Sequence, residues 1–264
     1  MPASSPEVWD YIQSVEVAGR FDRDHADFPL FELDTRMTLG LLGELQAVRS
    51  SEPVRVLDLG CGTGRTLIAV AQAGAEAVGL DLSPHMLEKA AKNVAEAGVS
   101  DRVRLFRSDL ASLRFLDEAS VDLAVCLYGT LGLLRGQQAR LDALRNVRRV
   151  LRPAGLLLVH VHNRTYPPHS PKHWLRLWRS WRAARRNPAE AEPGDFYFDD
   201  YAGAAVRRMF MHTFCRNELH DALDKAGYAV RTIHLIHPSR ANLLENGLRN
   251  RLRSHGFFGV AVRP

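Results

Sequence analysis

The sequence predicts an α/β fold, a doubly wound and mostly parallel sheet flanked by helices. Three observations predict it. Short apolar runs alternate with helix-like segments between residues 54 and 163, the pattern of repeated strand–helix–strand units. Those runs are nearly continuous in apolar character, as strands buried on both faces are. The first run ends in a glycine-rich turn, "DLGCGTG" at 58–64, which feeds directly into a helix.

Each element follows in order. "VRVLDLG" (54–60) reads as the first strand, with a helix to Ala73. "AEAVGLDLS" (75–83) is the second strand. Ser83 as N-cap and Pro84 at the first helical position open a helix that stops at Gly98. "RVRLFRSDL" and "VDLAVCLYG" are strands three and four. "QQARLDALRNVRRVL" is helical and stops at "RPAG"; "LLLVHVHN" is strand five. After an irregular stretch, "NELHDALDKAG" is a helix, and "YAVRTIHLI" and "FFGVAVR" are strands. That makes seven strands. The first 50 residues look mostly helical and are placed to cap a cleft.

Composition bounds the rest. With 264 residues, 46% of them hydrophobic, the chain can bury a sizeable core as one domain with insertions. No run approaches about 18 apolar residues, so no membrane span is expected. The start "MPASSPEVWD" lacks a basic and then an apolar region, so no signal peptide is expected. Three scattered cysteines (Cys61, Cys126, Cys215) and no CxxC suit a reducing cytoplasm, not a disulfide framework or a cysteine-based zinc site. The net charge of +5 is uneven: residues 164–189 hold seven Lys or Arg and no acid. The basic character therefore belongs to one segment.

In a parallel sheet of this kind ligands sit beyond the carboxyl ends of the strands. The residues there are Asp58 to Gly64, Asp81, Asp109, Tyr128 and His162, which should converge on one cleft. The glycine loop narrows the ligand. A dinucleotide fingerprint, GxGxxG, fits no placement: the sixth position from Gly60 is Arg65, and from Gly62 it is Leu67. There is no GK[ST], hence no P-loop. What stands is D-x-G-x-G-x-G.

Asp58-Leu59-Gly60-Cys61-Gly62-Thr63-Gly64 resembles the first motif of class I S-adenosylmethionine-dependent methyltransferases of the small-molecule type. "VGLDLSPHML" is similar to their second motif, "RSDL" to the end of their strand three, "LYGTLGLL" to their strand-four motif, and "VLRPAGLLLVHVHN" to their passage into strand five. The likeness covers about residues 50–163 and the tail from Asn217. It implies a Rossmann-like seven-stranded sheet, mostly parallel with an antiparallel last strand. The fold would carry a helical N-terminal cap (1–50), a cofactor-binding core (51–163), an inserted lid or substrate segment (164–206) and a C-terminal part of the core sheet (207–264). It also implies S-adenosylmethionine as cofactor, with S-adenosylhomocysteine as product. Asp58 would meet the ligand's ammonium, and Gly60, Cys61, Gly62 and Gly64 would allow close backbone approach. Asp81 would accept the ribose hydroxyls. Asp109 would accept from the adenine amino group, with the Leu110 amide nearby and Leu82, Met86 and Leu127 as apolar contacts. Cys61 reads as structural, not nucleophilic.

The acceptor side is less marked. Cys126 has no neighbouring proline, against a cysteine nucleophile for pyrimidine carbons. Leu127-Tyr128-Gly129-Thr130 departs from the [DNS]-P-P-[YFW] motif of enzymes that methylate adenine or amide nitrogen. His162 is the candidate general base, His160 lying one step deeper on the same face. Tyr128 is a candidate catalytic or pocket residue, and Asn163 a candidate substrate contact. His25, Phe28 and Arg36 could close over the ligand. No H-x-x-x-H helix or His/Cys cluster has ligand spacing along the chain, so no metal is expected.

In "KHWLRLWRSWRAARR", Trp174, Leu177, Trp178 and Trp181 fall within about 100° of arc and the arginines on the other side. That predicts a lid helix with Trp174 and Trp178 turned to substrate; a membrane-surface helix and an RNA-binding segment are the alternatives. The function expected is methyl transfer to an oxygen or nitrogen of a small or medium organic acceptor. An RNA methyltransferase using residues 164–186 and a non-catalytic binder of the cofactor are the rivals.

Overall fold

The computed structural model describes residues 6–26, 28–49, 52–110, 112–201 and 206–264. Residues 1–5 of the expected cap and 202–205 of the inserted segment lie outside the described residues.

Three helices come first: α1 (Pro6–Gln13), α2 (Val15–Asp24) and α3 (Pro29–Val48). Strands and helices then alternate: β1 (Arg55–Leu59), α4 (Arg65–Gln72), β2 (Glu76–Asp81), α5 (Pro84–Glu96), β3 (Val103–Arg107) and β4 (Val121–Cys126). A 3-10 turn (Thr130–Leu133), α6 (Gln137–Val150) and β5 (Leu151–His162) complete the run. The local signals act as read. The Ser83 side chain accepts a hydrogen bond from the Met86 amide, and Pro84 occupies the first turn of α5.

The main sheet has the strand order β3-β2-β1-β4-β5-β10-β8-β9, where β8 is Ala229–Ile236, β9 is Leu243–Leu244 and β10 is Gly256–Val262. Strands β1 to β5 pair parallel, and β10 runs antiparallel between β5 and β8. The sheet thus has eight strands where seven are expected. The extra one, β9, is a two-residue edge strand formed where the chain folds back on β8. Burial on both faces explains the continuous apolar runs: all six residues of β4 are buried. Leu57, Ala124 and Val159 pack on the side of α6 and of α8 (Arg216–Lys225). Val56, Val125 and Leu158 pack toward α3 and α4.

The segment after β5 departs from expectation in two ways. Helix α7 (Pro171–Arg186) is followed by β6 (Asp195–Tyr201) and β7 (Val206–His212), which form a separate antiparallel hairpin. The inserted unit therefore runs on to His212, past the expected boundary at 206, because β7 pairs with β6 and not with the core sheet. The hairpin root is held by His212, whose two ring nitrogens meet Asp195 and Glu218, while Arg164 pairs with Glu218.

The second departure concerns the tryptophans. Helix α7 docks through small residues: Ser180 and Ala184 are buried, and the Ser180 hydroxyl bridges Glu192 O and the Gly194 amide. Trp174, Trp178 and Trp181 are 43%, 50% and 46% exposed. They face outward because the buried face of α7 follows Ser180 and Ala184, about a quarter-turn away around the helix. Arg182 and Arg185 lie over the Trp178 and Trp181 rings, so each indole is covered by a neighbouring guanidinium, not by the cleft. The three tryptophans do not form the lid.

What closes over the carboxyl edge is the pair α1–β7. Val8 and Ile12 of α1 and Phe210 of β7 form one buried cluster. A second joins Val17 and Ala18 of α2 to Met86 and Met209.

Candidate active site

The loop between β1 and α4 turns because Gly60, Gly62 and Gly64 all have positive φ, at 78°, 53° and 87°. Gly60 also approaches Thr130 so closely that an added Cβ would lie 2.6 Å from its methyl. The amides of Gly60 and Cys61 are tied to Leu80 O, which binds the loop to the end of β2. Asp81 then clamps it: its carboxylate accepts from the Gly62 amide at 2.9 Å and from the Ser83 amide at 2.8 Å.

A cleft of about 1250 Å³, open mouth included, lies above this loop. Asp58, Gly60, Cys61 and Gly62 line it, as do Asp81, Leu82, Met86, Asp109, Leu110, Leu127 and Tyr128. Gly64 is the exception among the expected contacts. It ends the loop as the N-cap of α4, and a Cβ there would meet Ala90 of α5 at 3.3 Å. The absence of a side chain there lets α4 and α5 pack closely.

The electrostatics are uneven. Asp58 is 3% exposed, and burial pushes its carboxyl up to about 7, against the lowering effect of Arg65. Burial also raises Asp81, while the Ser83 and Gly62 amides pull it back. The Oδ1 of Asp109 is buried without a hydrogen-bond partner in the protein, an acceptor left for something in the cleft to satisfy. The Cys61 thiol is pushed well up by burial and the nearby acids, and Cys126 up to about 12. Neither is a nucleophile at neutral pH.

Residues outside the sequence motifs complete the cleft. Tyr11, Phe21 and Phe31 come from the amino-terminal helices, and Met209 and Met211 from β7. Asp22 of α2 holds the loop by accepting from the Thr63 hydroxyl and the Asn93 amide. Arg36 reaches away to Ala241 O, and His25 and Phe28 pack near Tyr128, with centroids 6.1 and 5.6 Å from its ring.

A second cavity adjoins the first. Tyr128, Met209 and Met211 line both. Tyr128 has φ 49°, uncommon for a residue with a side chain. The next residue, Gly129, leaves no room for a side chain, since a Cβ would sit 2.7 Å from the His162 ring. This tight turn sets the Tyr128 ring edge-on to His162, centroids 5.4 Å apart at 82°.

The second cavity is lined by His162 and Asn163, by Tyr166, Phe196 and Phe198, and by His173, Arg176 and His255. Among its described lining residues it carries one guanidinium and no carboxylate. Asn163 lines it but is committed to the fold, donating to Arg251 O and Ser254 O and accepting from Thr165. Burial and the neighbouring imidazoles His255 and His160 hold His162 well below its ordinary range, so it is neutral at pH 7 and a weak proton acceptor. His255 is lowered to about 4, mainly by burial. Trp174 and Trp178 are absent from the lining; His173 and Arg176, on other faces of the same helix, supply it.

Comparison with known proteins agrees with this geometry. A family model described as a methyltransferase domain matches residues 56–155. A ubiquinone/menaquinone biosynthesis C-methyltransferase from Syntrophotalea carbinolica is 32% identical over 158 residues, 57% of this chain and 62% of that protein. The chain spans about half the length of the curated relatives it matches. A solved S-adenosylmethionine-dependent methyltransferase from Methanosarcina mazei superposes with TM-score 0.65 at 19% identity, covering 83% of this chain and 96% of that one. The 1,6-didemethyltoxoflavin-N1-methyltransferase of Burkholderia thailandensis, solved with its substrate and S-adenosylhomocysteine, gives 0.58 at 17% identity over 99% and 92%.

Proposed function

We propose that this chain, which matches a methyltransferase domain at residues 56–155, is a class I S-adenosylmethionine-dependent methyltransferase that binds S-adenosylmethionine in the first cleft. It then methylates an oxygen or nitrogen of a small or medium organic acceptor in the second. The observation that carries this reading is the shared wall: Tyr128 and the two methionines of β7 line both cavities. A donor in one and an acceptor in the other would meet there.

When bound, S-adenosylmethionine supplies an electrophilic methyl group on a sulfonium and departs as S-adenosylhomocysteine. The residues present suit it. Asp58 in its anionic form pairs with the ammonium. Asp81 has lone pairs left for the ribose hydroxyls beyond the two amides it already accepts from. The unpartnered Asp109 Oδ1 accepts from the adenine amino group. The apolar walls exclude water and fix the approach, and alignment alone supplies on the order of 7–11 kcal/mol in favourable cases.

The acceptor cavity favours a planar ring bearing an acidic oxygen. Tyr166, Phe196 and Phe198 offer flat apolar walls, and Arg176 the only formal charge at neutral pH among its described lining residues. An acceptor already ionised needs no strong base, which suits the weakly basic His162. A second reading, an RNA acceptor held by the basic segment 164–186, draws on the outward arginines of α7. Transfer of a labelled methyl group from S-adenosylmethionine to a panel of ring carboxylates and phenols tests the proposal, with product S-adenosylhomocysteine measured alongside. Tight cofactor binding with no turnover across the panel overturns it in favour of a non-catalytic binder. Turnover on RNA alone, lost steeply with salt, overturns it in favour of the second reading.

A further inference from the structure

We infer that His160, His162 and His255 form a binding site for one divalent transition-metal ion, of the zinc(II) class, at the inner end of the acceptor cavity. Spacing along the chain does not show it. Across the sheet it is plain: His160 and His162 alternate on β5 and so share one face, and Gly256, at the start of β10, pairs with His162. His255, one residue before, is brought alongside. One ring nitrogen of each of the three lies within 4.8 Å of the others. Zinc–nitrogen bonds of about 2.0–2.1 Å draw nitrogens so placed together with small ring rotations.

Two buried atoms point to a missing partner. His160 is 0% exposed, yet its Nε2 has no hydrogen-bond partner; the same holds for the buried Nδ1 of His255. Unpaired buried nitrogens of this kind are costly unless something binds them. The other nitrogen of His160, Nδ1, lies 2.7 Å from Asp34 Oδ1. A carboxylate behind an imidazole is the arrangement that orients metal-ligating histidines and raises their basicity.

The other histidine–carboxylate group in the described residues provides a contrast. His212 lies with Glu192 and Glu218 within the same separation. Both its ring nitrogens are already bonded, to Asp195 and Glu218, and the group closes as an ion-pair network with Arg164. It has no nitrogen to give. The β5–β10 cluster does.

Three protein nitrogens leave a tetrahedral ion one open position, and His162 and His255 face the acceptor cavity. At that position the ion holds an acceptor hydroxyl as its oxyanion, with the proton passing to solvent. This role rests on the methyl-transfer reading; the site itself does not.

The experiment uses the full chain stripped with a chelator and titrated with cobalt(II) alone, read by visible absorption and by calorimetry. The expected result is one ion per chain with the intense visible bands of low-coordinate cobalt. His255→Gln should weaken binding at least tenfold, and His220→Ala, an exposed control, should leave it unchanged. If His255→Gln does not fold by near-ultraviolet circular dichroism, His162→Gln takes its place. Substoichiometric binding by the unaltered chain, or equal affinity in the folded variant, overturns the site. S-adenosylmethionine affinity measured on the same samples separates the two readings. Cobalt failure with intact cofactor binding sinks the metal site alone, and cofactor failure with an intact cobalt site sinks the methyl-transfer reading alone.

Discussion

Asp34 and His160 meet at 2.7 Å with neither side chain exposed to solvent. The pair joins α3 to the carboxyl half of β5, and the other carboxylate oxygen of Asp34 lies 3.7 Å from Arg65 Nη2. One buried acid therefore links the wall of the cofactor cleft to the histidines of the acceptor cavity.

Removing that acid should be expensive for the fold. Asp34→Ala leaves His160 without its partner and Arg65 without its closest carboxylate. Leaving a buried hydrogen-bond partner unsatisfied in this way costs about 1–3 kcal/mol. Urea unfolding should show the unfolding free energy, the midpoint times m, lowered by that amount, and a loss below about 1 kcal/mol would show the pair to be dispensable.

Cofactor affinity should depend on pH through Asp58. Its carboxyl is raised to about 7 in the folded chain, so below pH 7 it holds a proton and above pH 7 it is the anion. An ammonium binds the anion. Affinity for S-adenosylmethionine should thus be full above pH 8 and fall about tenfold per unit below pH 7, with proton release on binding near neutrality. Calorimetry in buffers of different ionisation heat measures both, and a flat profile from pH 6 to 8 would remove Asp58 from the ammonium site.

The two other acids should act on affinity by different routes. Asp81→Ala loses the loop clamp at Gly62 as well as the ribose contacts proposed for it, and should weaken cofactor binding by about 1–3 kcal/mol. Asp109→Ala loses only the unpartnered acceptor, so adenosine-lacking fragments such as methionine should bind it as they bind the unaltered chain. Equal losses for whole cofactor and fragment would place Asp109 in the scaffold.

Helix α7 should separate into two functional faces. Arg176→Met should raise the KM for an anionic acceptor about 10-fold or more, the scale of a charged hydrogen bond lost, with cofactor affinity unchanged. Trp178→Ala, on the exposed face, should leave kcat and KM within about twofold of the original. The reverse order would return the tryptophans to the cleft.

The sequence by itself determined the sheet and its ligand edge. Continuous apolar runs fix buried parallel strands, and the spacing of Gly60, Gly62 and Gly64 fixes the turn. A carboxylate at each strand end, Asp58, Asp81 and Asp109, follows from the same local grammar. These are near-neighbour facts, legible because φ angles, caps and strand alternation act over a few residues. Tertiary structure decided what crosses the chain. Helix α7 looks the same in sequence whichever face is buried; Ser180 and Ala184 decided it, because their small side chains allow close docking and turn the tryptophans out. His255 reaches His160 and His162 only through the antiparallel pairing of β10 with β5, and Asp34 reaches His160 from 126 residues away. Such contacts are set by how layers pack, and packing between elements distant in sequence leaves no period or spacing to read.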